Sequence, residues 1–279
     1  MLKQLRFTLL LGTLLSAPLQ AEQTKMTSAS SDFEWQLDIG NYALYTKSLL
    51  KGMDSEINGP LHLHIFVYVN YKRFFIEPGP IQKRISPVAA DVAGFRLYET
   101  EQQQWALTIN HYHLGFTAAS SRDPMQLSIP GLEGLDDRKA DFAVGIRFQH
   151  QAGASLFSVH LLKDQIAHYD FFAELYYGYR FELSNWDLYL STELTLYRSG
   201  LINYYYGVTE AEARPDRPVY QAGSGQRLHL GAIAAYPLSK RWIFELGSGV
   251  NLYSSAFTHS PLTRSAPELV SFSSVRYVF

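Results

Sequence analysis

No cysteine occurs among the 279 residues. A disulfide framework, thiolate metal sites and cysteine nucleophiles are therefore excluded, and the absence suits export to a compartment where stray thiols oxidise. Positive charge is not in excess: 24 Lys and Arg face 26 Asp and Glu, with no polybasic run, so the electrostatic footprint of a nucleic-acid binder is missing. Beyond the N-terminus, no window is apolar enough to cross a bilayer as a helix, which takes about 20 such residues. Aromatic rings are abundant instead: 19 Tyr and 17 Phe raise the aromatic fraction to 14%, while mean hydropathy stays slightly negative. Rich in rings yet not greasy is the composition of a transmembrane β-barrel with interfacial girdles and a polar interior.

The N-terminus reads as an export address. Lys3 and Arg6 form a positive n-region, Phe7 to Leu15 is apolar apart from Gly12 and Thr13, and Leu19-Gln20-Ala21 places a small residue before a cleavage site after Ala21. An uncleaved anchor would need a longer run than the one that Pro18 ends. The expected division is a signal peptide over 1–21, a polar periplasmic leader over 22–32 and one outer-membrane barrel over 33–279, in a Gram-negative bacterium.

From Phe33 onward, apolar residues recur at every second position, the period of a strand with two unlike faces. Phe171, Ala173, Leu175, Tyr177, Tyr179 and Phe181 alternate with Glu174, Tyr176, Gly178, Arg180 and Glu182. After Ser184-Asn185, Trp186, Leu188, Leu190, Leu194 and Leu196 alternate with Asp187, Tyr189, Ser191, Glu193, Thr195 and Tyr197. The segments Leu61 to Asn70, Ala140 to Gln149 and Arg241 to Leu252 repeat the pattern. A soluble sandwich also alternates, but these strands are long and carry Glu and Arg at mid-strand. Short links (70–73, 100–104, 149–153, 184–185, 239–240) alternate with long polar ones (48–60, 118–139, 208–225). Barrels of this class keep short turns in the periplasm and long loops outside. With both termini periplasmic the strand number is even, about twelve, or ten if the proline-interrupted region Phe74 to Tyr98 forms no complete pair. Val275, Tyr277 and Phe279 end the chain on one strand face, a pattern resembling the signal read by the outer-membrane assembly machinery.

Asn203-Tyr204-Tyr205-Tyr206-Gly207-Val208-Thr209-Glu210-Ala211-Glu212-Ala213, followed by Pro218-Val219-Tyr220-Gln221-Ala222-Gly223, resembles the most recognisable block of the MipA/OmpV family, the MltA-interacting outer-membrane proteins. Further echoes are Leu135 to Ala140, the hairpins Tyr179 to Trp186 and Tyr236 to Trp242, and Ser260-Pro261-Leu262-Thr263. Together they cover most of the chain from Phe74 onward. The departures are the proline-rich stretch from Gly79 to Pro87, which reads as an insertion, and a first strand poor in family-like glycines. The resemblance implies an outer-membrane barrel in contact with outer-membrane lipid, acting as a scaffold between a murein lytic transglycosylase and a murein synthase.

Candidate chemistry falls into three groups. His62 with His64, and His111 with His113, share strand faces but have no carboxylate at a matching offset, so a metal site is not expected. Ser158 with His160, and His259 with Ser260, are the nearest approaches to a lipid hydrolase, without the motif context such an enzyme needs; neither a catalytic site nor a cofactor is expected. The inward charges Arg147, Glu174, Arg180, Glu182, Glu193, Glu245 and Arg276 should pair across strands, since a lone buried charge is costly. Such a network, with Tyr176, Tyr189 and Tyr197, would fill the lumen and displace a second reading, a narrow channel for small solutes. Tyr204, Tyr205, Tyr206, Glu210, Glu212, Arg214, Arg217 and Tyr220, in and beside the long loop from Val208 to Gly225, are the candidates for partner recognition, because aromatic and Arg side chains dominate interfaces. The same residues would serve a loop packed over the barrel mouth.

Overall fold

The computed structural model describes residues 33–53, 58–78, 92–113, 115–117, 127–129, 132–264 and 267–279. The segments expected to be signal peptide and leader, and the stretch from Gly79 to Pro87, lie outside the described residues, as does part of the 118–139 link. Twelve antiparallel strands close into one barrel. In chain order they are β1 (Phe33–Lys47), β2 (Gly59–Tyr71), β3 (Phe74–Glu77), β4 (Val92–Glu99), β5 (Gln103–Asn110), β8 (Ala143–Ala152), β9 (Ser155–Asp164), β10 (Phe171–Leu183), β11 (Trp186–Tyr197), β12 (Gly225–Pro237), β13 (Trp242–Tyr253) and β14 (Glu268–Val278). Two-residue strands β6 (Phe116–Thr117) and β7 (Leu127–Ser128) pair with each other outside the wall. Two short helices, α1 (Ser199–Tyr206) and α2 (Ser255–Thr258), lie in the connections after β11 and β13.

Each strand pairs with its sequence neighbour, and β14 returns to β1 from Asp38↔Val278 to Lys47↔Leu269. That closure matters physically, because hydrocarbon cannot hydrogen-bond an open edge. The period of two is realised as burial: in β10 and β11 the odd-numbered Phe171 to Phe181 and even-numbered Trp186 to Leu196 face outward, while Glu174, Tyr176, Tyr189, Glu193 and Thr195 are buried inside. The region from Phe74 to Tyr98 supplies two strands, so the count is twelve, although β3 has only four residues. Ala140 and Phe142, expected on a strand face, precede β8.

Three hairpins turn in two residues, Lys72-Arg73, Gly153-Ala154 and Ser184-Asn185, each with a left-handed first residue (φ 54°, 57° and 57°). Positive φ at this position suits the right-handed twist of tightly joined strands. All short turns gather at one end, the periplasmic end of such barrels. The opposite end carries 48–58, 111–142, 198–224 and a link that alternation did not reveal as long, 254–267. The lumen holds an apolar cluster with Tyr42, Phe66, Tyr189, Ile233 and Phe272 at its centre, and a smaller one of Phe75, Val92 and Ala106. A second core at the long-loop mouth joins Leu49, Leu50, Phe116, Ile129, Leu135, Leu201, Ile202, Tyr205, Phe257 and Leu262. Four connections thus fold together over the mouth.

Candidate functional site

The inward charges are distributed in separate clusters. At the closing seam, the Arg276 guanidinium is fully buried and bridges Asp38 of β1 and Glu245 of β13, the latter at 3.2 Å. Glu245 also accepts hydrogen bonds from Ser274 (3.0 Å) and Tyr42 (3.4 Å). Arg227 meets Glu193 at 2.5 Å and donates to the Tyr112 hydroxyl at 2.8 Å. Arg147 pairs with Glu77 and donates to Gln104 at 3.0 Å, its guanidinium 5.1 Å from the Phe75 ring centre. Glu174 lies 3.4 Å from His160 Nδ1. Arg180 pairs with Glu182 along its own strand at 2.7 Å rather than across strands, and Glu182 stands at the short-turn rim, its side chain 69% exposed, not in the lumen. Asp38, Glu77 and Arg227 complete these clusters and were not singled out from sequence, while His160 was weighed there only beside Ser158; alternation parity would have flagged Asp38 as inward.

His64, His111 and His113 each have a partner other than a second histidine. His64 packs on Tyr42 at 4.4 Å between ring centres, His111 contacts the Asp141 carbonyl, and His113 stacks on Tyr205 at 3.7 Å. Among the described residues no group of three His, Asp or Glu side chains has the geometry to hold a metal ion. His160 hydrogen-bonds Thr108 at 2.6 Å rather than Ser158, reaching across Gly145, where a side chain would meet the imidazole at 3.1 Å. A hydroxyl, an imidazole and a carboxylate thus line up from Thr108 to Glu174, but the Thr108 hydroxyl sits in a residue only 1% exposed. Such a chain fixes strand register; a nucleophile needs an approach for its substrate. Ser260 donates to the Tyr206 carbonyl at 2.6 Å, which ties α2 to α1.

The family-like block forms the lid over the mouth. Tyr204, Tyr205 and Tyr206 are the last turn of α1, not an extended entry to a loop. Tyr205 is fully buried and donates to the Lys139 carbonyl at 3.0 Å, while the Tyr204 hydroxyl accepts from the Lys139 amide at 2.9 Å. Val208 and Tyr220 bridge the base of the loop by two backbone hydrogen bonds, and Tyr220 donates to the Ala256 carbonyl at 2.9 Å. Glu212 is a buried hub: Arg138 at 2.7 Å and the Asp136 amide at 2.9 Å meet one oxygen, and the amide and hydroxyl of Thr209, both at 2.9 Å, meet the other. Arg217 donates to the carbonyls of Glu212 (2.8 Å) and Glu133 (3.0 Å). Of the candidate recognition residues only Glu210 and Arg214 remain exposed, with Tyr204, Tyr206 and Tyr220 half-buried.

Burial alone would raise the Glu212 carboxyl, but the amides of Thr209 and Asp136 and the Arg138 guanidinium outweigh it and hold it near 2. Asp141 is pushed up to about 6 by burial, against the amides of His113 and Tyr112 that donate to it. Burial, reinforced by the His168 imidazole, keeps His113 down at about 3. Burial likewise raises the phenols of Tyr205 and Tyr206 above their ordinary range.

Comparison with known proteins agrees with this architecture. Over 155 residues the chain is 28% identical to the outer membrane protein Omp26La of Vibrio anguillarum and to the outer membrane protein OmpV of Vibrio cholerae serotype O1. The match spans 55% of this chain and 60% of each relative, so it covers about three fifths of their length. Among solved structures, a loop-deletion mutant of OmpT, an outer membrane protein of Vibrio cholerae, aligns over 88% of this chain and 99% of its own, at 7% identity and a TM-score of 0.40. An anion-selective porin from Comamonas acidovorans aligns over 77% of this chain and 56% of its own, at 9% identity and a TM-score of 0.33. The family model described as MltA-interacting protein MipA matches residues 39–279, almost the whole barrel, and the chain belongs to that family of outer-membrane proteins.

Proposed function

We propose that this protein is a non-enzymatic barrel that serves as a binding or scaffold protein for murein enzymes, a lytic transglycosylase and a murein synthase. One observation carries the reading: both the lumen and the outer mouth are spent on packing, with Arg276, Tyr176, Tyr189, Tyr205 and Ile233 almost fully buried. The rims are then what remains for partners. Murein lies in the periplasm, on the side of the short turns, so the loop after α1 is at the wrong end to meet it. The turns Lys72-Arg73 and Lys240-Arg241 are exposed and basic, and they flank the seam of β1 and β14. Pull-down of murein enzymes from solubilised envelopes tests this: a Lys72→Glu, Arg73→Glu, Lys240→Glu variant should lose capture, whereas deletion of 209–217 should retain it. Equal capture by the turn variant would end the reading.

A narrow channel is the second reading, and a specific feature favours it. The inward side chains His62, His64, Tyr68, Asn70 and Gln149, on β2 and β8, are polar and only half-buried, unlike the fully buried inward face of β11. Stepwise conductance in planar bilayers, altered by Tyr68→Ala, is the result that this reading requires.

A further inference from the structure

The outer wall carries a feature that neither scaffold nor channel uses. At the long-loop rim three outward side chains stand in a row on adjacent strands. Lys163, next to last in β9, pairs in register with Phe171, the first residue of β10, with its ammonium 5.3 Å from the Phe171 ring centre. Arg198 follows Tyr197, the last residue of β11, and its amide donates to the Phe171 carbonyl at 3.4 Å. Two cations therefore flank one exposed ring. The next outward row toward the membrane centre is Leu161, Ala173 and Leu196, in register across the same strands. Leu161 and Leu196 are exposed, and the small Ala173 between them leaves a furrow running down from the ring.

The row is held rigidly. Asp164 Oδ2 accepts the amides of Ile166, Ala167, His168 and Tyr169 at 2.7–3.2 Å, and its Oδ1 accepts the Phe142 amide at 2.9 Å, which locks the loop from β9 to β10. Asp170 accepts the amides of Phe171 (2.8 Å) and Gly200 (3.0 Å) and lies 3.4 Å from Arg198 Nε. That carboxylate is a negative charge at the edge of the row; its amide partners hold it in place, and it steers a guanidinium that is otherwise 68% exposed. Long cationic side chains at the headgroup level, above an apolar wall, are how barrels and helices meet anionic lipid.

We propose that Lys163, Phe171 and Arg198 form a site for the phosphorylated headgroup of an outer-leaflet glycolipid, with one acyl chain lying in the furrow over Ala173. Phosphate oxygens would meet Lys163 and Arg198 by charge-assisted hydrogen bonds, and the Phe171 ring would pack on the sugar that carries them.

The test uses the purified full barrel in detergent, with diphosphoryl lipid A as probe and retention read by native mass spectrometry. Lys163→Gln combined with Arg198→Gln should weaken retention by at least about tenfold, Ala173→Leu should weaken it by filling the furrow, and Lys47→Gln, at the exposed end of β1 and away from these strands, should not. Phosphatidylethanolamine should bind alike to all four proteins. Unchanged retention in the double variant, or loss in Lys47→Gln, would overturn the site. Displacement of the lipid by millimolar inorganic phosphate would overturn the lipid assignment in favour of a free-anion site. Heat-modifiable migration of each variant shows that the barrel itself is intact.

Discussion

Glu212 holds the lid by one carboxylate serving four donors. Glu212→Gln removes the charge opposite Arg138 and turns one acceptor into a donor facing donors. Breaking a buried pair from one side costs about 3 kcal/mol, and exchange of the Thr209 and Asp136 amides should accelerate by about 100-fold, as read by hydrogen-exchange mass spectrometry. The sign with pH follows from the carboxyl being held near 2, against 4.5 in an open chain. Its contribution is complete above pH 4.5 and drains away as pH falls toward 2. His113 acts over a higher window. Its imidazole is near 3 under the lid against 6.5 when released, so an opened lid binds the extra proton and closure weakens as pH falls from 6.5 to 3, by up to about 1.4 kcal/mol per unit. Asp141, raised to about 6, opposes this by favouring closure as pH falls from 6 to 3.8. His113→Phe keeps the stack on Tyr205 and deletes the titration. Lid protection in that variant should therefore rise between pH 6 and 4.5, where the wild type's falls or stays level. An unchanged profile would assign the acid response elsewhere.

At the scale of the element, the barrel wall depends on glycines opposite large rings. Gly247 of β13 pairs with Phe272 of β14, and a Cβ on Gly247 would sit 2.1 Å from the Phe272 ring. Gly247→Val should destabilise by about 1–3 kcal/mol through overpacking, and Phe272→Ala on the same chain should relieve that part of the loss, measured as the temperature at which heat-modified migration is lost. The strands themselves were legible because hydrocarbon outside and charge inside force a period of two on each of them. β3 was hard to read because four residues are too few to show a period, with prolines directly after them. α1 was hidden for a different reason: Ser199–Tyr206 has no acidic first turn, no side-chain cap and no basic last turn, and its tyrosines would suit an extended loop equally well. The inward charges were legible singly. Their partners were not, because whether Arg147 meets Glu77 or Glu174 depends on the relative heights of hairpins distant in sequence. The same limit hid the contact between His160 and Thr108, which skips a whole strand over Gly145.

The whole molecule is closed by residues more than two hundred positions apart. Asp38 on β1 and Arg276 on β14 meet across the seam, and Glu245 on β13 completes the cluster in an interior with no water-exposed surface at Arg276. Gly40 is part of the same design, since a Cβ there would lie 2.8 Å from the Arg276 Cβ. The seam is the last pairing that can form, because it joins the two ends of the sheet. Removing only the cation leaves two carboxylates in a low-dielectric lumen without the charge they share, at a cost of about 3–5 kcal/mol. Arg276→Met should therefore give a barrel that fails to close, seen as loss of the fast-migrating unheated form and as new protease cuts near the seam. The triple variant Asp38→Asn, Arg276→Met, Glu245→Gln removes all three charges of that cluster. Neutral replacement of a complete buried cluster is often no worse than the original, so the triple variant should regain the fast-migrating form even though it is further from the natural sequence. If the triple variant fails while Arg276→Met alone folds, then the methylene stem of Arg276 and its fit against Gly40 hold the seam, and charge balance does not.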